Sequence, residues 1–133
     1  MRIMIVEDEA LLALELESEI EAAGHSVTGV AAASKAARDL VEQDRPDFAF
    51  VDIHLVDGQT GIDVGRFLAE RKIPYVFVSG NVKRIPDDFA GAVGAIEKPY
   101  TVNGLQNAIE YLDARIKGNA ASAAPPNLIM PMQ

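Results

Sequence analysis

Apolar residues along this chain alternate between two rhythms. Ile3-Met4-Ile5-Val6 is a short unbroken apolar run, the pattern of a strand buried on both faces. From Asp8 to Ala23 the rhythm changes. Leu11, Leu12, Leu16 and Ile20 share one side, acids occupy positions 15, 17, 19 and 21, and Gly24 closes the segment, so a helix is predicted. Ser26 to Ala32 reads as a second strand weakened by Gly29, and Ser34 is placed to cap a helix running to Gln43. Asp44-Arg45-Pro46-Asp47 ends that helix. Phe48 to Ile53 predicts the third strand, Gly61 to Arg71 the third helix, and Tyr75 to Ser79, opened by Pro74, the fourth strand.

Between Asn81 and Gly91 the rhythm is helical, but Pro86 lies mid-segment and removes a backbone hydrogen bond. The fourth helix is therefore expected to be short or irregular, reduced to Asp87 to Ala90. Val93 to Glu97 predicts a fifth strand. Thr101 to Lys117 predicts a last amphipathic helix, with Leu105, Ala108, Ile109, Leu112 and Ile116 at helical spacing. Strands each trailed by a helix imply an α/β fold, a doubly wound five-stranded parallel sheet covered on both faces. In the flavodoxin-like order 2-1-3-4-5, ligands gather beyond the carboxyl ends of the strands.

Composition narrows the classes. The 133 residues suit one domain, expected over 1–117. Residues 118–133 carry no charge and three prolines, and are expected to form a flexible tail, although Leu128-Ile129-Met130 is apolar enough to dock. A formal charge of -8 argues against nucleic acid and anionic membranes as partners. The absence of Cys removes disulfides, thiolate metal sites and a Cys nucleophile. Acids interrupt the first apolar run, unlike a signal peptide, and no run approaches the ~18 apolar residues of a membrane span. A cytoplasmic protein is the expectation.

The chemistry collects just past the strands. The first ends on Glu7-Asp8, the third on Asp52, the fourth on Ser79-Gly80 and the fifth on Glu97-Lys98-Pro99, whereas the second offers only Ser34. Singly, each has a bland reading: acids at a helix N-terminus, a turn cap with Asp57-Gly58, a surface lysine. Together, in the order given above, they share one crevice, where carboxylates would repel each other unless a cation compensates. Lys98 and a hard divalent ion such as Mg²⁺, held by carboxylates, water and a carbonyl, supply that compensation. A carboxylate beside such an ion can act as a nucleophile toward phosphorus, with a lysine and a hydroxyl meeting the transferred oxygens.

The ordered set V-E-D-E, R-P-D-F-A-F-V-D, D-G-Q-T-G, V-S-G and E-K-P-Y resembles response-regulator receiver domains of two-component signalling, over about Met1 to Lys117. The resemblance implies that Asp52 accepts phosphate from a histidine kinase or phosphotransfer protein. It implies that Asp8 binds Mg²⁺ directly, Glu7 through water and His54 by its main-chain carbonyl. Lys98 would pair with the phosphoryl group, Ser79 would supply a hydroxyl, and the bond before Pro99 would be cis. The His54 side chain is expected at the rim, since no second His or Cys is placed to ligate with it. His25 is expected to pack at the start of the second strand.

Three departures stand out. Ala95 stands where receivers usually carry an aromatic, Pro86 interrupts the fourth helix, and Val56 stands in a lengthened loop where Pro is common. With Phe77-Val78-Ser79-Gly80, these features resemble an alphaproteobacterial subgroup named for a Phe-Ala-Thr-Gly motif, often stand-alone, though two of the four positions differ. The switch is then expected to act by ordering Asn81 to Gly91. The sixteen residues after the last helix are too few for an output module, so output is expected through protein-protein contact or as a phosphate sink, not through a conventional enzyme activity. Three other readings are a pseudo-receiver binding module, a Mg²⁺-dependent aspartyl phosphatase, and a flavodoxin or dinucleotide-binding domain. The phosphatase is opposed by His54 in place of a second Asp and by the lack of a capping insertion. The last lacks a Gly-rich or Ser/Thr-rich phosphate loop after the first strand.

Overall fold

In a computed structural model, residues 1–119 and 123–131 are described. The strands are β1 (Arg2–Val6), β2 (Ser26–Ala31), β3 (Phe48–Val51), β4 (Tyr75–Ser79), β5 (Gly94–Glu97) and β6 (Leu128–Ile129). The helices are α1 (Ala10–Ala22), α2 (Ser34–Gln43), α3 (Gly61–Glu70) and α4 (Val102–Ile116). Sheet order is β2-β1-β3-β4-β5-β6, parallel throughout except for antiparallel β6. The expected order 2-1-3-4-5 is present, but the sheet has six strands rather than five.

The apolar runs form strands because both sheet faces are covered. On one face Ile3, Ile5, Phe48, Phe50, Val76, Val78 and Ile96 pack against Leu16 and Ile20 of α1 and Leu105, Ile109 and Leu112 of α4. On the other, Met4, Val6, Ala49, Val51, Tyr75, Phe77 and Ala95 pack against Ala37 and Val41 of α2 and Val64 and Leu68 of α3. The register sets Val6 beside Val51 and Ser79 beside Glu97, which brings the strand ends to one edge of the molecule.

Several boundaries move, for physical reasons. β3 stops at Val51, so Asp52 and Ile53 lie past the strand rather than within it. Ala33, not Ser34, is the N-cap of α2. Ser34 instead donates its N–H (3.2 Å) and hydroxyl (2.5 Å) to the Asp57 carboxylate, which also accepts from the Thr60 hydroxyl at 2.5 Å. In place of a helix between β4 and β5 are two 3₁₀ turns, Val82–Arg84 and Phe89–Gly91. The second forms where a short helix is expected over Asp87 to Ala90, with Phe89 and Ala90 both left-handed at φ 54° and 50°. Such backbone is costly for side-chain-bearing residues. Tyr75 holds it, donating its hydroxyl to the Ala90 carbonyl at 2.6 Å. Gly65 makes room, because a Cβ there would overlap the Tyr75 phenol.

The tail departs most from expectation. Leu128 and Ile129 pair antiparallel with Ile96 and Ala95, so a part of the chain expected to be flexible is a strand. Residues 120–122 and 132–133 of the expected flexible tail lie outside the described residues. Leu128 is buried against the α1/α4 face. Full burial of such a side chain contributes about 1.5–3 kcal/mol, whereas ordering each residue's backbone costs about 1–2 kcal/mol. A two-residue strand is held by a small margin.

Candidate functional site

The site is built by hydrogen bonds that continue the sheet beyond its strands. Glu7 N–H donates to the Ala31 carbonyl at 2.8 Å and Asp52 N–H to the Val6 carbonyl at 2.9 Å, so the two acids follow β1 and β3 side by side. Lys98 N–H donates to the Ser79 carbonyl at 2.9 Å and carries Lys98 past the end of β5. The Lys98–Pro99 bond is cis, as the resemblance to receivers implied. Gly61 closes the floor, since a Cβ there would overlap the Asp52 carbonyl oxygen. No larger residue allows α3 to start so close to Asp52.

Within this frame, Glu7, Asp8 and Asp52 each present a carboxylate oxygen within 4.8 Å of the others. Glu7 and Asp52 are 6% and 8% exposed, whereas Asp8 is open to solvent. Lys98 Nζ donates to Glu7 Oε1 at 2.6 Å and Asp52 Oδ2 at 2.9 Å, joining residues 91 and 46 positions away in the chain. Asp52 Oδ1 accepts from the Ile53 N–H at 2.7 Å. Ser79 is buried, and its Oγ accepts from the Asn81 N–H at 3.0 Å, which leaves its hydroxyl proton free to donate.

Burial pushes the Glu7 carboxyl above its ordinary value, a shift opposed by the Lys98 hydrogen bond. Burial alone would lower the Lys98 ammonium, but hydrogen bonds to Glu7 and Asp52 outweigh it and carry its pKa upward. Lys98 is therefore firmly cationic. An ammonium touching two of three clustered acids offsets part of their repulsion and leaves excess negative charge around Asp8. A hard cation fits that donor set, which is all oxygen and partly open.

The fold thus brings together Glu7, Asp8, Asp52, Ser79 and Lys98 around the ends of β1, β3, β4 and β5. The His54 side chain is exposed and is not among the clustered metal-ligand groups, in keeping with a rim position. The bland reading of the acids at the α1 terminus is also partly present, because Glu7 Oε2 accepts from the Glu9 N–H at 3.1 Å. Two contributors escaped sequence reasoning. Asp57, read in the sequence only as part of a turn with Gly58, fastens the loop after Asp52 to the start of α2 and also accepts from Thr60. Tyr75 fastens the 3₁₀ segment and had no local signal.

Fold and site define an α/β class with an acidic pocket and a lysine at the carboxyl edge of its sheet, and comparison with known proteins identifies it. Residues 3–110 match the response regulator receiver domain family, and the chain belongs to that family. It is a two-component signalling receiver. Among its relatives, the phyllosphere-induced regulator PhyR of Methylorubrum extorquens is 38% identical over 84 residues, covering 62% of this chain and 32% of PhyR. The transcriptional regulatory protein PdtaR of Mycobacterium tuberculosis is 30% identical over 122 residues, covering 87% of this chain and 58% of PdtaR. The chain thus spans less than two thirds of either relative. Among solved structures, the PhyR receiver domain of Erythrobacter litoralis superposes with TM-score 0.78 at 25% identity, covering 93% of this chain and 95% of that one. Receivers of this family typically bind Mg²⁺ at an acidic pocket, and Glu7, Asp8 and Asp52 form such a pocket here. Among the described residues, no helix is long and apolar enough to cross a membrane.

Proposed function

We infer that this receiver accepts a phosphoryl group on Asp52 from a phosphohistidine of a histidine kinase or phosphotransfer protein, and signals by protein-protein contact or drains phosphate from a relay. The observation that carries the reading is the Lys98 ammonium bridging Glu7 and Asp52 beside the exposed Asp8. An Asp52 oxygen attacks phosphorus, the P–N bond breaks, and the departing imidazole keeps the electron pair and takes up a proton. Asp8 and Asp52, with the His54 carbonyl and Glu7 through water, would hold Mg²⁺, which when bound neutralises charge on the transferred oxygens. Lys98 exchanges its bond to Asp52 for one to the phosphoryl group, and Ser79 donates its free hydroxyl proton to another oxygen. The same geometry favours transfer over a pseudo-receiver role, because Lys98 reaches Asp52 at 2.9 Å and the three carboxylates cluster within 4.8 Å.

Mass spectrometry after incubation with acetyl phosphate and Mg²⁺ tests the reading. Wild type is expected to gain one phosphoryl group and Asp52→Ala none. A modified Asp52→Ala, or an unmodified but folded wild type, would overturn it.

A further inference from the structure

β6 closes the edge of β5, and the way it does so describes what that edge accepts. Its two residues pair with Ala95 and Ile96. Gly94 permits the approach, because a Cβ there would lie 2.7 Å from the Ile129 carbonyl oxygen. Leu128 enters the core face beside Ile96 and Leu105, and Asn127 Nδ2 donates to the Gly104 carbonyl at 2.8 Å. The seat is thus an antiparallel backbone edge, one aliphatic hole and one carbonyl that takes an amide donor.

The tail does not fill its surroundings. A cleft of about 340 Å³ remains between Glu97, Lys98 and Tyr100 on one side and Pro126, Asn127 and Ile129 on the other. Val102 and Ile129 stay exposed nearby. An unpaired sheet edge is a ready template for another chain's strand, and natural proteins blunt such edges with very short edge strands or by covering them. A two-residue strand with spare room beside it fits that description.

We propose that the β5 edge is a strand-addition site for an extended partner segment carrying Asn before two aliphatic residues, and that β6 is its intramolecular stand-in, displaced when the partner binds. The partner's chemistry is read from the occupant. The segment from Gly118 onward is uncharged and the whole chain carries -8, so an uncharged or basic segment is favoured over an acidic one. The inference goes beyond phosphoryl transfer and does not require it.

The test therefore omits phosphoryl donors. The probe is a fluorescein-labelled peptide of residues 124–131, Ala-Pro-Pro-Asn-Leu-Ile-Met-Pro, titrated into the full chain and read by anisotropy. A tethered tail competes at an effective concentration on the order of millimolar, so wild type is expected to bind the peptide weakly. Leu128→Ser, which empties the aliphatic hole, is expected to bind at least ~10-fold tighter, and adding Gly94→Val is expected to abolish the gain. Equal binding to wild type and Leu128→Ser, or binding to neither, would overturn the proposal. Hydrogen exchange on wild type guards against a misfolded variant. Amides of residues 127–130 are expected to exchange by local opening, well before those of Val76 and Phe77. Exchange of the tail only with global unfolding would overturn the proposal. So would a concentration-dependent dimer with exchanged tails, which would give the edge to a second copy instead.

Discussion

A single side chain, Lys98, offsets the acids at one end of the sheet, and at the other end His25 couples the fold to pH. His25 is half-buried, and its Nδ1 accepts from the Met1 ammonium at 2.6 Å. Burial first, and that ammonium second, hold the imidazole neutral to lower pH than its ordinary 6.5. Below that value the unfolded chain binds the proton that the folded chain resists, so stability falls as pH drops through and below 6.5. Glu7 acts in the opposite sense, because its raised pKa lets the folded state take a proton first. The effect of His25 therefore emerges as a difference between variants. Urea midpoints measured at about pH 7.5 and about pH 5.5 are expected to separate more for wild type than for His25→Gln. Identical separations would show that His25 is not linked to folding.

At the scale of elements, the segment between β4 and β5 is what distinguishes this chain. Two left-handed residues in a row, Phe89 and Ala90, persist because the Tyr75 hydroxyl reaches the Ala90 carbonyl and the Ala90 methyl is buried. Arg66 adds a bidentate pair with Asp88 from α3, but this pair is exposed and is worth little alone. Tyr75→Phe keeps the ring and leaves a buried carbonyl unpaired, at a cost of about 1–3 kcal/mol. The variant is expected to exchange the amides of residues 89–92 faster while β3 keeps its protection, which NMR hydrogen exchange would read. Uniform acceleration across the sheet would mean that the hydroxyl supports the whole core, not this segment. Sequence reasoning located the irregularity through Pro86 but not its anchor. A strand-opening Tyr reads as core, and the partner of its hydroxyl lies 15 positions away in a segment whose helical rhythm Pro86 interrupts. Asp57 escaped for a related reason, since its partner Ser34 lies 23 positions earlier. The acids and Lys98 were legible because a buried parallel strand announces its own end, and whatever follows that end must share the carboxyl edge. β6 was legible only as a Leu128-Ile129-Met130 stretch apolar enough to dock, because two aliphatic residues in an uncharged Pro-containing stretch carry no strand periodicity.

The whole molecule carries a formal charge of -8 and gathers three carboxylates at one edge of its sheet. Keeping them together costs stability, which Lys98 offsets only for Glu7 and Asp52. Asp8, exposed and without an ion pair among the described residues, contributes repulsion in the metal-free state and, as the proposed cation ligand, would contribute attraction once a divalent cation binds. Its two effects on global stability therefore have opposite sign and separate by titration. A ligand that binds only the folded state stabilises it by about 2.7 kcal/mol at one hundred times its dissociation constant. Wild type is expected to show a melting temperature that climbs with Mg²⁺ toward that gain. Asp8→Asn is expected to start higher without metal, because one of three like charges is gone, and to climb far less. The crossing of the two curves, followed by thermal melts at constant ionic strength, isolates ligation from screening. Parallel curves would remove Asp8 from the cation site and leave Glu7 and Asp52, already committed to Lys98, as an ion-paired cluster that needs no metal.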